Sequence, residues 1–205
     1  RALDLVSHPR WIKDVAIGGK PLTFGNLAEV VPGARTPEDF KDWVDAQFDP
    51  SVTWDDIAWV RENWKGKLVV KGVLDPEDAR RALDAGVDGL VVSNHGGRQL
   101  DGAPSSISVL PEIVDAVGDR IEVHLDGGIR SGQDVLKALC LGAKGTYIGR
   151  PFLYGLGAGG KAGVSLALEI IRKELDTTLA LCGKRTIADV GPDLLYRPAR
   201  ERVRG

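Results

Sequence analysis

The sequence predicts an α/β fold, a (β/α)8 or TIM barrel of which this chain covers about the last four βα units. Strand-like and helix-like apolar runs alternate four times at short intervals after residue 66. Residues that can do chemistry follow the strand-like runs at their carboxyl ends, the edge where a barrel gathers its active site. A complete barrel takes roughly 250 residues. Because the four units account for only half of such a barrel, we expect a segment upstream of Arg1.

Residues 1–66 are predicted to be a lead segment with two helices before strand five, and residues 67–205 the C-terminal half of the barrel. The stretch TPEDF at Thr36 is typical of a helix start, with proline at the first helical position and acidic residues in the first turn. The stretch SVTWDDIAWVRENW has apolar residues three and four apart, which indicates a second helix.

Each predicted strand of the barrel is followed by a helix. The strands are KLVVKG, VDGLVVSN, RIEVHLDGG and KGTYIGRP. The helices are DPEDARRALDAG, SSISVLPEIVDAVGD, SGQDVLKALCLGA and GVSLALEIIRKELDTTLALCG. Asp75 and Ser131 are the expected N-caps, and Pro111 either lies in a first turn or ends its helix. This alternation is typical of parallel strands joined by right-handed crossovers, in a barrel or in an open doubly wound sheet.

The polar residues at the strand ends favour the barrel over the open sheet. They are Lys71, then Ser93 and His95, then Asp126, Gly127 and Gly128, then Gly149 and Arg150. In a barrel these ends converge on one mouth. In an open sheet they would spread along a row, and only the switch point would bind a ligand.

The stretch SNHGGRQLDG contains the sharpest candidates for catalysis. An imidazole ordinarily titrates near neutrality, so a histidine such as His95 suits a general base. The guanidinium of Arg98 can hold a carboxylate through two parallel hydrogen bonds. Taken alone, Lys71 is more simply a solvated lysine and Asp126 a turn cap. His8 and His124 are interpreted as structural.

Two glycine-rich loops, LDGGIRSG and IGRP, each lead from a strand into a helix. The N–H groups at a helix start are unsatisfied and favour an anion. Barrels bind phosphate near their seventh and eighth strands, where these loops fall. We therefore expect a phosphate to be held by the loop residues Gly128, Arg130, Gly149 and Arg150. The alternative is two ordinary βα turns.

Composition excludes several classes of protein. The net charge of −2 indicates no nucleic-acid partner. No apolar run approaches the roughly 18 residues that span a bilayer. No cluster of His, Cys and Asp has metal-site spacing, so no metal is predicted. Cys140 and Cys182 are interpreted as two buried, reduced cysteines.

The motifs VKG, SNHGGRQLDG, LDGGIRSG and YIGRPFLYGL occur in this order and resemble those of the FMN-dependent α-hydroxy acid dehydrogenases and oxidases. The resemblance runs from HPRW to about Arg197. It implies FMN as the cofactor and the oxidation of a small L-2-hydroxy acid, L-lactate or a similar acid, to its 2-keto acid. It also implies an electron acceptor, which is a quinone, a cytochrome or oxygen, and a homo-oligomer in the full-length form.

The resemblance also implies roles for single residues. His95 matches the catalytic histidine, and Arg98 matches the arginine that binds the substrate carboxylate. The residues that match flavin contacts are Lys71, beside the flavin ring, Ser93, the ribityl-binding Asp126, and the phosphate loops Gly127, Gly128, Ile129 and Arg130 with Gly149 and Arg150. Two tyrosines and an aspartate of the family's active site have no match here, and Tyr147, Tyr154 and Tyr196 do not fall at those positions.

The lead segment is similar to the part of the bacterial membrane-associated members that attaches them to a membrane surface. We expect a cytoplasmic protein, and a peripheral contact with the inner face of the cell membrane stays open. Leu3, Leu5, Val6, Trp11 and Ile12 would supply an interfacial face, or the segment packs on the barrel as a surface loop. The competing functions are an FMN-dependent isomerase barrel and a non-catalytic half-barrel that binds FMN.

Overall fold

The computed structural model describes residues 7–19, 24, 27–31, 33 and 36–196. The chain divides into two compact units, Arg1–Val52 and Thr53–Gly205. The predicted boundary between residues 66 and 67 stays a prediction. Leu3, Leu5 and Val6 of the predicted interfacial face lie outside the described residues.

The first unit is largely helical where it is described. Pro9–Trp11 is a single helical turn that runs on into the π-helical Ile12–Ile17. Helix α1, Pro37–Gln47, begins directly after Thr36, the predicted start of this helix, whose side chain accepts the Asp39 N–H in a capping box. Phe40 of this helix is buried, and its ring meets that of Phe24 edge to face with centroids 5.6 Å apart.

The second unit is built around a four-stranded parallel sheet. Its strands are β1, Val69–Val73; β2, Gly89–Val92; β3, Glu122–Asp126; and β4, Gly145–Tyr147. The spatial order is the chain order, β1-β2-β3-β4. A doubly wound sheet reverses its strand order at a switch point, and these strands do not. The sheet is therefore half of a barrel wall, as predicted.

The helices of this unit follow the strands in alternation. Helix α2, Trp54–Asn63, precedes β1. Three helices cross over between successive strands: α3 (Pro76–Asp84), α4 (Ser106–Val117) and α5 (Gly132–Cys140). Helix α6 (Arg150–Leu181) follows β4. The predicted N-caps are confirmed, since Asp75 and Ser131 accept hydrogen bonds from first-turn N–H groups.

The core lies between the sheet and its helices. Burial alternates along β3, where Val123 and Leu125 are buried while His124 and Asp126 keep partial exposure. Leu90, Leu110 and Ile113 are completely buried in the same cluster, and each contributes about 1.5–3 kcal/mol by its burial. The opposite face of the sheet carries the polar side chains, because side chains alternate along a strand.

Pro111 neither lies in a first turn nor ends its helix, so both sequence expectations were wrong. It lies inside α4, which continues to Val117. A proline removes one intrahelical hydrogen bond. Here Leu110, Ile113 and Val117 of the same helix are buried in the core, and this packing stabilises the helix despite the missing bond.

The last helix is also different from its prediction, because a helical stretch already begins at Arg150, within IGRP. Within α6, Gly159 and Gly160 leave helical geometry. A Cβ atom at Gly163 would lie 1.9 Å from the backbone oxygen of Gly155. Residues eight apart in a continuous helix are about 12 Å apart along its axis. The chain therefore reverses at Gly159–Gly160, and two backbones touch where only glycine fits.

One of the two predicted buried cysteines is not buried. Cys140 lies in a small apolar cluster with Leu136 and Leu179, and burial raises the pKa of its thiol. Cys182 is exposed, because it follows the last residue of α6 as the C-cap.

Asp88 joins three elements at the amino ends of the strands. Its carboxylate accepts hydrogen bonds from Lys67 Nζ at 2.8 Å, Arg61 at 2.9 Å and the Leu68 N–H at 2.9 Å. The Lys67 bond first and the Leu68 N–H second lower the pKa of Asp88 from 3.8 to about 2. At this end of a barrel, such contacts serve stability.

Asp88→Asn is expected to lower the free energy of unfolding at neutral pH and to reduce its dependence on acid. A carboxyl with a lowered folded-state pKa contributes all its stabilisation above the unfolded value of 3.8 and loses it as pH falls toward about 2. Urea unfolding between neutral pH and the acid range measures both effects. Asp119→Asn is the control, since that side chain is 99% exposed; equal losses in the two variants would contradict the role of Asp88.

Candidate functional site

A cavity of about 510 Å³ opens at the carboxyl ends of the strands. It is lined by Lys71 of β1 and by residues at the ends of β2, β3 and β4 and in the loops that follow them. Every site residue predicted from the sequence lines it except Ser93, which is completely buried. The lining residues are Lys71, His95, Gly96, Arg98, Gln99, Asp126, Gly127, Gly128, Ile129, Arg130, Tyr147, Ile148, Gly149, Arg150, Pro151 and Leu153.

Lys71, Ser93 and Asp126 form one polar cluster across three strands. Lys71 Nζ lies 2.8 Å from Asp126 Oδ2 and donates to Ser93 Oγ at 3.0 Å. The other carboxylate oxygen, Asp126 Oδ1, is buried and, within the described part of the chain, has no hydrogen-bond partner. An unpaired buried acceptor costs about 1–3 kcal/mol. This atom therefore marks the place where a ligand hydroxyl or N–H would be stabilised.

His95 lies in a strained turn that begins two residues after Ser93 of this cluster. Its φ of 55° is positive, the only such value at a non-glycine residue among those described, and such a conformation costs about 1–3 kcal/mol. The turn is fixed by side chains: Ser93 Oγ accepts the His95 N–H at 3.1 Å, and Asn94 Oδ1 accepts the Gly96 N–H at 3.1 Å. Ser93 thus connects Lys71 with the histidine.

Gly72 gives the imidazole its room. A Cβ atom at this position would lie 2.6 Å from His95 Cε1, and Gly72 has a φ of 98°. The pairing of β1 with β2 is irregular between Lys71 and Val73, which is typical of a bulge that redirects a side chain. The VKG sequence therefore places a cation at the cavity and leaves space for a ring beside it.

The first predicted phosphate loop differs from its expectation. The N–H groups of Arg130 and Ser131 donate to Asp134 Oδ2 at 3.0 and 3.1 Å, and that of Gly132 donates to Glu174 at 2.9 Å. These donors at the start of α5 were expected to be unsatisfied, and that expectation was wrong because the protein's own carboxylates bind them. What this loop presents to the cavity is Gly127 and Gly128 and the exposed side chain of Arg130.

The second loop has the open helix start. Gly149 is the N-cap of α6 and has no side chain that could accept the first-turn N–H groups, and a Cβ there would meet nothing within 4 Å. Arg150 follows as the first residue of the helix, and its guanidinium donates to the Gly96 oxygen at 2.7 Å. Helix dipole and guanidinium together favour an anion here.

Several lining residues were missed by sequence reasoning. Tyr147 is one of them, and it pairs in register with Asp126 across β3 and β4. Its ring lies 5.6 Å from that of His124, which is hydrogen-bonded to Glu122 at 3.1 Å and lies outside the cavity lining. The signal was its position, since Tyr147 is the last residue of β4 and a barrel gathers its site at the carboxyl ends of the strands. The other missed residues are Gln99, Ile148, Pro151 and Leu153.

Comparison with known proteins gives a consistent result. Residues 1–197 match the FMN-dependent dehydrogenase family. An L-lactate dehydrogenase of Caulobacter sp. (strain K31) is 50% identical over 200 residues, which is 98% of this chain and 53% of that protein. The chain thus spans about half the length of the curated relatives it matches.

Solved structures agree with the sequence matches. A monotopic membrane protein, (S)-mandelate dehydrogenase, superposes with a TM-score of 0.83 at 38% identity, over 96% of this chain and 52% of that one. A mandelate oxidase variant with a monooxide FMN adduct superposes with a TM-score of 0.67 at 49% identity, over 70% of this chain and 46% of that one.

Proposed function

The chain belongs to the FMN-dependent dehydrogenase family, and on this premise we propose that it supplies the FMN-binding half of a barrel that oxidises a small L-2-hydroxy acid, L-lactate or a similar acid, to the 2-keto acid. The observation that carries the proposal is the cavity at the strand ends, where His95 and Arg98 lie together with a buried, unpartnered oxygen of Asp126. The alternatives of an isomerase barrel and a non-catalytic half-barrel have no such specific support.

The residues present fit FMN. Asp126 Oδ1 receives no hydrogen bond from any described residue, and a ribityl hydroxyl is a donor of the right kind. The open start of α6 at Gly149, with the guanidiniums of Arg130 and Arg150, suits the phosphate. Lys71 contributes a cation to the same cavity. Ser93 would not touch the cofactor directly but would hold Lys71, whose ammonium donates to it. Gly127, Gly128 and Ile129 would contact the cofactor through their backbone.

The chemistry assigned to the side chains follows from their types. Arg98 binds the substrate carboxylate and orients the hydroxyl-bearing carbon. As the acid becomes the keto acid it loses two electrons and two protons, of which His95 accepts one proton. Bound FMN would take the two electrons together with the other proton. The ammonium of Lys71 is held in place by its ion pair with Asp126. It stabilises negative charge that develops on a ligand at this side of the cavity.

The partners of the whole protein are also part of this proposal. We propose a quinone, a cytochrome or oxygen as the electron acceptor, a homo-oligomer, and a cytoplasmic location with peripheral contact to the inner face of the membrane. Trp11 in the lead segment is 43% exposed, and a solved neighbour is named a monotopic membrane protein. Across the described residues, no helix has the length and apolar character needed to cross a bilayer.

The decisive experiment is a visible absorbance spectrum of the purified protein with FMN, recorded before and after anaerobic L-lactate. A bound flavin spectrum that bleaches on addition of lactate is the expected result. Bound flavin that no 2-hydroxy acid bleaches would support the non-catalytic alternative, and the absence of flavin binding would refute the proposal for this chain.

Arg98→Lys is expected to lower kcat/KM for L-lactate by about tenfold. A lysine keeps the charge but cannot offer two parallel donors to a carboxylate. Steady-state assays with an artificial electron acceptor measure the effect. Arg172→Lys is the matched control, because that arginine pairs with Glu169 on the exposed surface of α6; an equal loss there would remove Arg98 from substrate binding.

A further inference from the structure

We propose that Arg150 is a positioning residue for His95, which it holds through the backbone of the histidine turn in addition to any contact with an anion. This inference rests on the proposed function, because it takes His95 as the proton acceptor. It goes beyond the phosphate role that the resemblance implies for Arg150. In this inference one side chain both binds the anion at the cofactor end of the cavity and fixes the histidine turn at the catalytic end.

The histidine turn needs an outside support. Three consecutive residues, His95, Gly96 and Gly97, have positive φ values of 55°, 69° and 71°. Glycine adopts this region freely, so the two residues after the histidine add no stiffness of their own. The side chains of Ser93 and Asn94 hold the N–H groups at the beginning of the turn. They do not hold its carbonyl oxygens.

Arg150 supplies the missing support from a distant part of the chain. Its Nη2 donates to the Gly96 oxygen at 2.7 Å across a separation of 54 residues. A Cβ atom at Gly96 would lie 3.6 Å from the same guanidinium nitrogen, so the side chain lies closely against the turn. Arg150 begins α6, and a residue on a helix is a firmer anchor than one on a loop.

The guanidinium can serve both ends of the cavity at once. It carries five N–H donors in a fixed plane, and the Gly96 oxygen takes one of them. The others stay available for an anion at the open start of α6. An ammonium is a point charge on a flexible stem and lacks this geometry. Lysine at this position would therefore bind the anion or the carbonyl, but would not join them.

Arg130 provides the matched comparison. It lines the same cavity and carries the same charge, but in the described part of the chain its side chain makes no hydrogen bond to the histidine turn. Removing Arg130 should weaken the anion site alone. Removing Arg150 should weaken the anion site and loosen the turn.

The test compares Arg150→Lys, Arg150→Gln and Arg130→Lys with the unsubstituted protein, each with and without FMN. Hydrogen–deuterium exchange of the peptide covering residues 93–103 reports the turn, and fluorescence quenching reports FMN affinity. We expect exchange in this peptide to rise about tenfold, which corresponds to one lost hydrogen bond, in Arg150→Gln with or without FMN and in Arg150→Lys when FMN is bound, because a lysine that binds the anion leaves the Gly96 oxygen without its donor. No rise is expected in Arg130→Lys. Saturating FMN should restore the occupancy of the Arg150 variants but not their rate of flavin reduction.

Two results would overturn the inference: equal exchange in the Arg150 and Arg130 variants, or full recovery of the Arg150 reduction rate at saturating FMN. A further variant, Arg150→Ala, tests the same contact by chemical rescue if the first Arg150 variants misfold. Millimolar guanidinium added to Arg150→Ala should restore protection of the turn, and no restoration would contradict the proposed contact. The exchange result stands without turnover. If no small L-2-hydroxy acid bleaches the flavin of the unsubstituted protein, the proposed function is refuted, while the exchange data still test the contact between Arg150 and Gly96.

Discussion

His95→Gln should slow reduction of the bound flavin by L-lactate by about 10²–10⁴-fold while FMN stays bound. Glutamine keeps a polar side chain of similar length but cannot accept the proton. The imidazole lines the cavity, and its turn is fixed by Ser93 and Asn94 through backbone N–H groups, so the substitution leaves the supports of the turn in place. Anaerobic stopped-flow absorbance at saturating lactate measures the rate.

His124→Gln is the control for this result. That histidine lies on the neighbouring strand β3, bonds to Glu122 and does not line the cavity. Its substitution should leave the rate of flavin reduction unchanged. A similar loss in both variants, or an unchanged rate in His95→Gln, would remove His95 from the proton transfer.

Asp126→Ala should weaken FMN binding by about 100-fold, and Asp126→Asn by about tenfold. A hydrogen bond to a charged group contributes about 1.5–3 kcal/mol, and about 1.4 kcal/mol is a factor of ten in affinity. Asparagine keeps an acceptor oxygen but loses the ion pair of Asp126 with Lys71. Alanine removes the acceptor and leaves the ammonium of Lys71 without its partner. Titration of the flavin-free protein with FMN, followed by fluorescence, gives both constants.

Asp115→Asn on the exposed side of α4 controls for the loss of one negative charge. Its FMN affinity should equal that of the unsubstituted protein. If Asp126→Ala binds FMN as tightly as Asp115→Asn, the buried oxygen does not face the cofactor and the fit described above is wrong.

Local signals in the sequence were sufficient for most of the framework. Asp75 and Ser131 cap their helices because their short side chains can accept first-turn N–H groups, a property of residue type alone. Apolar runs between glycine-rich turns located all four strands. The gathering of Lys71, His95 and Asp126 at one edge followed from parallel strands, whose carboxyl ends lie on the same side.

Tertiary contacts account for what sequence reasoning missed. Glu174 binds the N–H of Gly132 from 42 residues away, and no local pattern predicts that partner. The helical stretch before Gly159–Gly160 was not predicted, because it is held by a backbone contact between Gly155 and Gly163 that no local pattern in this glycine-rich segment indicates. Pro111 was misread because the packing around α4 overrides a local helix-breaking preference.

The strand order β1-β2-β3-β4 has a consequence for how the protein folds. Each strand forms hydrogen bonds with the strand that comes next in the chain, but every such pairing closes over a crossover helix, as Val69 with Gly89 and Gly89 with Glu122 show. Parallel pairing of this kind is slower than the packing of neighbouring helices, while chains can begin to fold during their synthesis. Each βα unit can dock on the unit made before it. Arg150 belongs to the last unit, so its bond to Gly96 forms late, and the histidine turn becomes fully ordered only when synthesis of the fourth strand is complete.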